Sequence, residues 1–216
     1  MIFPFDCEDL FELNDNLQPY FDGEVIVIDD IFKNFKDILD ICYNLPVEKW
    51  KISPNSRNFI DYYDCRPKFE NFYPNKEKID KRLKTLFSIT DYFFNLKGKV
   101  NSDKSFVFNY FKNLKLNVSN NFQHYPHRDK YYNCIIYIDP FKNGGTALYE
   151  SQNIKNDEHI NLLYDISKLK IKKQIQSIPN RCAIFPGNIL HGGYIKDHNI
   201  YYYNWRINLT HFFNNI

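Results

Sequence analysis

The sequence predicts an α+β fold that is mainly β, and three observations carry the prediction. Phe (20 residues) and Tyr (17) supply most of an 18% aromatic content, whereas Ala occurs only at Ala147 and Ala183, so strand formers are plentiful and strong helix formers scarce. The clearest helical spacing of apolar residues lies in two segments of the first half. From Ser105 to Phe213 short strand-like runs follow one another, separated by turn residues, as in a barrel or sandwich. A chain of 216 residues, 44% hydrophobic and 25% charged, suits one domain with a sizeable core. No repeat or low-complexity linker divides it, so residues 1–216 are read as a single domain. Within it, about 24–98 forms a helical support region and about 105–213 the strand-rich core.

Taken in order, Glu24-Val25-Ile26-Val27-Ile28 reads as a strand by its β-branched run. Ile31, Phe35, Ile38, Leu39, Cys42 and Leu45 then recur at helical spacing and stop before Pro46, which cannot continue the hydrogen-bond ladder. Residues 50–74 are irregular and punctuated by Pro54, Pro67 and Pro74. Ile79, Leu83, Leu86, Phe87, Phe93 and Phe94 mark a second amphipathic helix ending near Gly98. Strands are expected at Ser105 to Phe111, Tyr131 to Asp139, Thr146 to Glu150, Gln174 to Ile178, Arg181 to Phe185 and Tyr201 to Phe213. The stretch from Ser151 to Lys173 is too long for a hairpin connection. Its later apolar residues predict a short helix, either a lid at the mouth of a site or a patch on the outside of the barrel.

Charge narrows the function classes. The formal net charge is +2, but residues 1–32 carry acidic residues and no Lys or Arg, so the remainder is mildly basic. The densest basic run, Lys168, Lys170, Lys172 and Lys173, reads as a solvated face, and no nucleic acid is expected as a partner. No apolar stretch approaches the ~18 residues of a membrane span, and the first Lys comes only at position 33, unlike a secretory signal. The expected setting is the cytoplasm, with no membrane partner. Five cysteines (Cys7, Cys42, Cys65, Cys134, Cys182) form no Cys-x-x-Cys pair, which argues for reduced, mostly buried thiols rather than a disulfide framework or zinc-thiolate site.

Of six histidines, two lie in distinctive settings. In His127-Arg128-Asp129 an extended backbone points residues 127 and 129 the same way, so one stretch offers two ligands to a metal; a surface ion pair is the plainer reading. Further on, an apolar strand from Cys182 runs through Pro186-Gly187 and delivers His191 beside Gly192 and Gly193, which permit close approach of a ligand or chain. Two His and one carboxylate on one face of an octahedron leave three open positions, as in non-haem Fe(II) oxygenases, although zinc hydrolases use a similar set. Arg206 opens an alternating strand, where it is costly to bury unless it meets a carboxylate; an exposed edge-strand cation is the alternative. By strand parity His124 faces away from His127 and His211 away from Arg206, while His159 sits in a polar, exposed stretch.

Together with Cys134-Ile135-Ile136-Tyr137-Ile138-Asp139 and Asn143-Gly144-Gly145-Thr146-Ala147-Leu148-Tyr149, these motifs stand in an order in which the chain resembles the Fe(II)/2-oxoglutarate-dependent oxygenases, in their prolyl-hydroxylase-like branch. The resemblance implies a double-stranded β-helix (jelly roll) with the N-terminal helices packed outside, and Fe(II) held by His127, Asp129 and His191. It also implies that Arg206 binds the distal carboxylate of 2-oxoglutarate and that Tyr137 donates a hydrogen bond to it. O2 would be the oxidant, and the substrate a peptidyl residue, an amino acid or a small metabolite. The spacing from His191 to Arg206 is long for that family, and Asn208 stands where several branches have a Ser, so Lys196 and His198 are the alternative cations. Arg128 and Tyr149 are candidate substrate contacts. A cupin-like metal module and a non-catalytic scaffold on the same fold are the rival readings, and oligomeric state is left open.

Overall fold

The run Val25–Ile28 has no polar face, and all four side chains are buried, as a strand covered on both sides requires. The computed structural model describes residues 12–44, 50–52, 62–67, 76–96, 100–113, 126–130, 132–150, 169–197, 199–204 and 206–215. Its strands are β1 (Tyr20–Asp22), β2 (Val25–Ile28), β3 (Trp50–Ile52), β4 (Tyr62–Pro67), β5 (Val100–Asn113), β6 (Tyr132–Tyr137), β7 (Gly145–Tyr149), β8 (Ile171–Gln176), β9 (Cys182–Pro186), β10 (His191–Tyr194) and β11 (Arg206–Asn215). Helices are α1 (Phe35–Asn44), α2 (Lys76–Phe94) and α3 (Ile200–Tyr203). Eight strands form one antiparallel sheet in the order β1-β2-β9-β6-β11-β5-β4-β3, and β10-β7-β8 form a second.

Side-chain alternation gives the large sheet two different faces. Ile26 and Ile28 of β2, Cys134 and Ile136 of β6, Cys182 and Ile184 of β9, and Ile207 and Leu209 of β11 share one core. That core is covered by Ile38 and Leu39 of α1 and by Leu86, Ile89 and Phe93 of α2. The opposite face carries Val25, Val27, Tyr137, Ala183 and Phe185, which pack against Leu148 of β7 and Ile175 of β8. Helices therefore cover one face and the small sheet covers the other. Cys134 and Cys182 are buried thiols whose Sγ atoms lie 3.4 Å apart.

The mainly β expectation holds, with local differences. Residues 24–98 supply β2, β3 and β4 as well as two helices, and β4 pairs with β5 in the stretch read as irregular. Its prolines do not forbid this, because Pro67 ends β4 opposite Trp50, at the first residue of the outermost strand. α1 starts at Phe35 rather than Ile31. α2 stops at Phe94 because Asn95 takes the left-handed conformation (φ 53°) that closes a Schellman turn, with Leu96 N donating to Asp91 O at 3.1 Å. Gly98 lies outside the described residues. The strand expected from Tyr201 to Phe213 is divided, since Ile200–Tyr203 is helical and extended backbone resumes at Asn204. Tyr201 is drawn inward by a 3.0 Å hydrogen bond from its hydroxyl to Asp139 Oδ1. Residues 151–168, most of the stretch expected to hold a lid or patch, lie outside the described residues, as do His124 and His159; β8 begins at Ile171.

Gly144 and Gly145 make the turn into β7 at φ 97° and 135°. A Cβ on Gly145 would collide with the Ile175 carbonyl of β8, and one on Gly144 with the Tyr194 carbonyl, so the Gly-Gly pair lets three chain segments close up.

Asn180 joins the two halves of the fold. At φ 64° it turns the chain before β9, and its side chain accepts from Phe32 N at 3.0 Å and donates to Phe32 O at 2.9 Å. Its backbone carbonyl accepts from Ile31 N at 3.0 Å. Replacing it with Ala strips both side-chain partners from buried backbone and keeps a β-carbon at positive φ. We expect Asn180→Ala to lose at least about 2 kcal/mol of stability, read as a lowered midpoint in urea unfolding; an unchanged midpoint would show that the clamp contributes nothing.

Candidate metal centre

His127 and His191 meet through the backbone before their side chains matter. His127 N donates to His191 O at 2.8 Å and His191 N to His127 O at 3.0 Å, an isolated antiparallel bridge. Two residues on, Asp129 N donates to Gly187 O at 2.7 Å, which ties the segment to the turn after β9. The imidazole centroids are 4.5 Å apart. Asp129 Oδ2 lies 3.6 Å from His127 Nε2 and 3.3 Å from His191 Nε2, and one donor atom from each of the three residues falls within a 4.8 Å cluster.

Protonation suits a cation. His191 Nδ1 lies 2.7 Å from the Ile189 carbonyl, which only accepts, so Nδ1 carries the hydrogen and Nε2 presents its lone pair to the cluster. Burial pulls the His191 pKa below its ordinary value, with His127 adding to the effect, against the opposing influence of the Asp129 carboxylate and the Ile189 carbonyl. For Asp129 burial is the largest influence and favours the neutral acid. The adjacent His127 and His191 rings outweigh it, His127 foremost, and hold the carboxyl well below the usual range. An ionised carboxylate and two imidazole nitrogens converging on one point fit a divalent transition metal.

These groups open on a pocket of about 550 Å³, partly open to solvent, between the β6–β11 face of the large sheet and the β7–β10 edge of the small one. Arg206, Asn208, Thr210 and Phe212 line it from alternate positions of β11, and Asn133 and Ile135 from β6. His211, on the other parity, is buried beneath the sheet. Arg206 is only 5% exposed. Its Nη2 donates to Gly145 O at 3.0 Å, its Nη1 to Asn208 Oδ1 at 3.0 Å in the amide orientation that satisfies both ends of Asn208, and its Nε has no partner among the described residues.

The other expected site residues are placed differently. The Tyr137 hydroxyl, fully buried, donates to Thr146 Oγ1 at 2.8 Å, and Thr146 is the residue of the pair that lines the pocket. Burial pushes the Tyr137 pKa up to about 12. Tyr149 packs with Ala147, Leu169 and Leu190 on the face of β7 opposite Thr146, and Arg128 donates from Nε to Asn188 O at 3.0 Å on the protein's exterior. Neither lines the pocket. Lys196 is exposed, and His198 lies outside the described residues.

Sequence reasoning passed over Asn133, whose Nδ2 donates to Asp129 Oδ2 at 2.9 Å and meets His191 Nε2 at 2.8 Å. The available signal was a lone amide in the apolar run Tyr132–Tyr137, on the parity of Tyr137. It also passed over Asp139, a buried acid that feels the Arg206 charge; its Oδ1 accepts from Phe141 N and the Tyr201 hydroxyl, while its Oδ2 has no partner among the described residues.

No family model matches the chain, and no curated protein does. Among solved structures it is similar to a Pseudomonas putida prolyl-4-hydroxylase, with 9% identity and a TM-score of 0.49 over 89% of this chain and 93% of that one. It is also similar to a prolyl 4-hydroxylase from Phytophthora capsici (12%, TM-score 0.41, 90% of this chain) and to E. coli ycfD (11%, TM-score 0.44, 92%). The chain spans 59% and 54% of the length of these last two. Among the described residues no helix is long and apolar enough to cross a membrane.

Asp139 gives the site a pH signature. Burial raises its pKa to about 6, against the opposing Arg206 charge and the hydrogen bonds to Oδ1. The folded state therefore holds this proton more tightly than the unfolded chain does, so the stabilisation is full below about pH 4 and is lost as pH rises through about 6. The shift corresponds to roughly 3 kcal/mol. Asp139→Asn cannot ionise and should remove this fall, seen by comparing urea midpoints between pH 4 and 7 in the two proteins; parallel profiles would refute it.

Proposed function

We propose that the chain is a cytosolic Fe(II)- and 2-oxoglutarate-dependent oxygenase that hydroxylates a C–H bond of a peptidyl residue, an amino acid or another small metabolite. One oxygen atom of O2 would enter the product and the other succinate, with release of CO2. The proposed core is a double-stranded β-helix formed by the two facing sheets. A single observation carries the reading: His127, Asp129 and His191 converge in one pocket with a buried arginine whose identified partners are neutral.

His127, Asp129 and His191 would hold the metal, leaving its other positions to exogenous ligands. Bound Fe(II) would supply the activation of dioxygen. The chain's own groups prepare the site. The Ile189 carbonyl keeps the His191 hydrogen on Nδ1, away from the metal side. Arg206, met by the Gly145 carbonyl and the Asn208 amide rather than by a carboxylate, keeps its charge for the distal carboxylate of the keto acid. Because Thr146 Oγ1 accepts from Tyr137, its own hydroxyl hydrogen is left to donate into the pocket, so Tyr137 would act on the co-substrate through Thr146. Ile135 and Phe212 supply apolar walls.

Anaerobic addition of Fe(II) and 2-oxoglutarate should give a weak visible charge-transfer band, expected of neither a cupin-like module nor a non-catalytic scaffold. Asp129→Ala should abolish Fe(II) binding. Arg206→Ala should raise half-saturation for 2-oxoglutarate about tenfold or more and leave Fe(II) affinity unchanged, since hydrogen bonds to charged groups contribute about 1.5–3 kcal/mol. No band from the wild-type protein, or an unmoved half-saturation in Arg206→Ala, would defeat the proposal.

A further inference from the structure

Asn133 stands inside the cluster of ligand atoms rather than beside it. Its side chain is almost fully buried (2% exposed), and its Nδ2 lies 2.9 Å from Asp129 Oδ2 and 2.8 Å from His191 Nε2, so one NH2 group engages lone pairs on two of the three proposed ligands. Its Oδ1, equally buried in the pocket wall, has no hydrogen-bond partner among the described residues. Ligand atoms about 2.1 Å from a cation occupy adjacent octahedral corners about 3.0 Å apart. The amide thus stands at the spacing of a corner next to Asp129 and His191.

An N–H group has the right polarity for this place only while the two lone pairs face it. Once they turn to a cation, an oxygen is required there. The terminal torsion of an Asn side chain is broad and two-fold, and a half-turn exchanges Nδ2 for Oδ1. The oxygen gives up no hydrogen bond to the described residues in turning, and carboxamide oxygens suit hard divalent cations. The nitrogen gives up two, which keeps the ligation weak.

Resting on the reading of His127, Asp129 and His191 as a metal centre, we infer that Asn133 is its fourth protein ligand, an exchangeable one. Its carboxamide oxygen holds one position of the cation and yields it to an incoming ligand such as the keto acid.

Titration of the purified chain with Mn(II) by calorimetry, and with Co(II) by visible absorption, tests this without turnover. Asn133→Ala should weaken Mn(II) about tenfold or more and shift the Co(II) bands. Asn133→Val, which fills most of the same volume without an oxygen, should do the same if the Ala protein folds poorly. Asn133→Asp, which restores an oxygen, should bind Mn(II) at least as tightly as wild type. Equal or tighter Mn(II) binding by the Ala or Val protein would make the amide a plug that competes with the metal. Weaker binding with unshifted Co(II) bands would mean that it only steadies Asp129. Either result overturns the inference and leaves the three-residue centre standing, whereas a wild-type protein that binds neither metal overturns both.

Discussion

The reciprocal hydrogen bonds between the backbones of His127 and His191 are the constraint on which the rest of the site depends. They bring together two segments far apart in sequence and set their residues directly opposite one another, which decides where both imidazoles project. Asp129 follows at the next position of the same parity and is tied by its own amide to Gly187. Because β10 continues from His191 into antiparallel pairing with β7, the bridge also orients the small sheet over the large one. The Gly192 and Gly193 backbone then lines the pocket where bulkier residues would fill it.

The second constraint is the division of labour between strand faces. In β6, Cys134 and Ile136 bury against the helices while Asn133, Ile135 and Tyr137 face the small sheet. In β11, Ile207 and Leu209 join the helix-covered core while Arg206, Asn208 and Thr210 turn to the pocket. A slip of one residue in either strand would exchange the polar set for the apolar one, so burial of the helix-side core holds the site in register. Stability and placement of the functional groups thus rest on the same contacts.

Electrostatics shape the pocket's two ends differently. At the metal end an ionised Asp129 sits against two imidazoles and is favoured there despite burial. At the other end Arg206 is buried with neutral acceptors on its Nη atoms. The nearby acid, Asp139, directs its hydrogen-bonded oxygen to Phe141 and Tyr201 and has a pKa raised by burial to about 6. A buried cation whose hydrogen bonds go to dipoles is costly for the fold, and on the proposed function an anionic co-substrate would offset that cost.

The amino-acid sequence determined much of the local pattern: the strands at Val25–Ile28, Tyr132–Tyr137 and Cys182–Pro186, the two long helices, that residues 127 and 129 share a face, and that His211 faces away from Arg206. These follow from periods of 2 and 3.6 residues, which side-chain chemistry alone displays. Several features were decided only by tertiary structure. Pairing with β5 made a strand of Tyr62–Pro67 despite its proline, and the bond from Tyr201 to Asp139 accompanies the helical turn ahead of β11. Thr146 took the Tyr137 hydroxyl, the opposite face of β7 took Tyr149, and the gap between Asp129 and His191 took Asn133. Each of these depends on which residue a long-range strand pairing sets opposite which, and one residue of register changes the answer. The alternation along a strand says which groups travel together; only the packed sheets say what they meet.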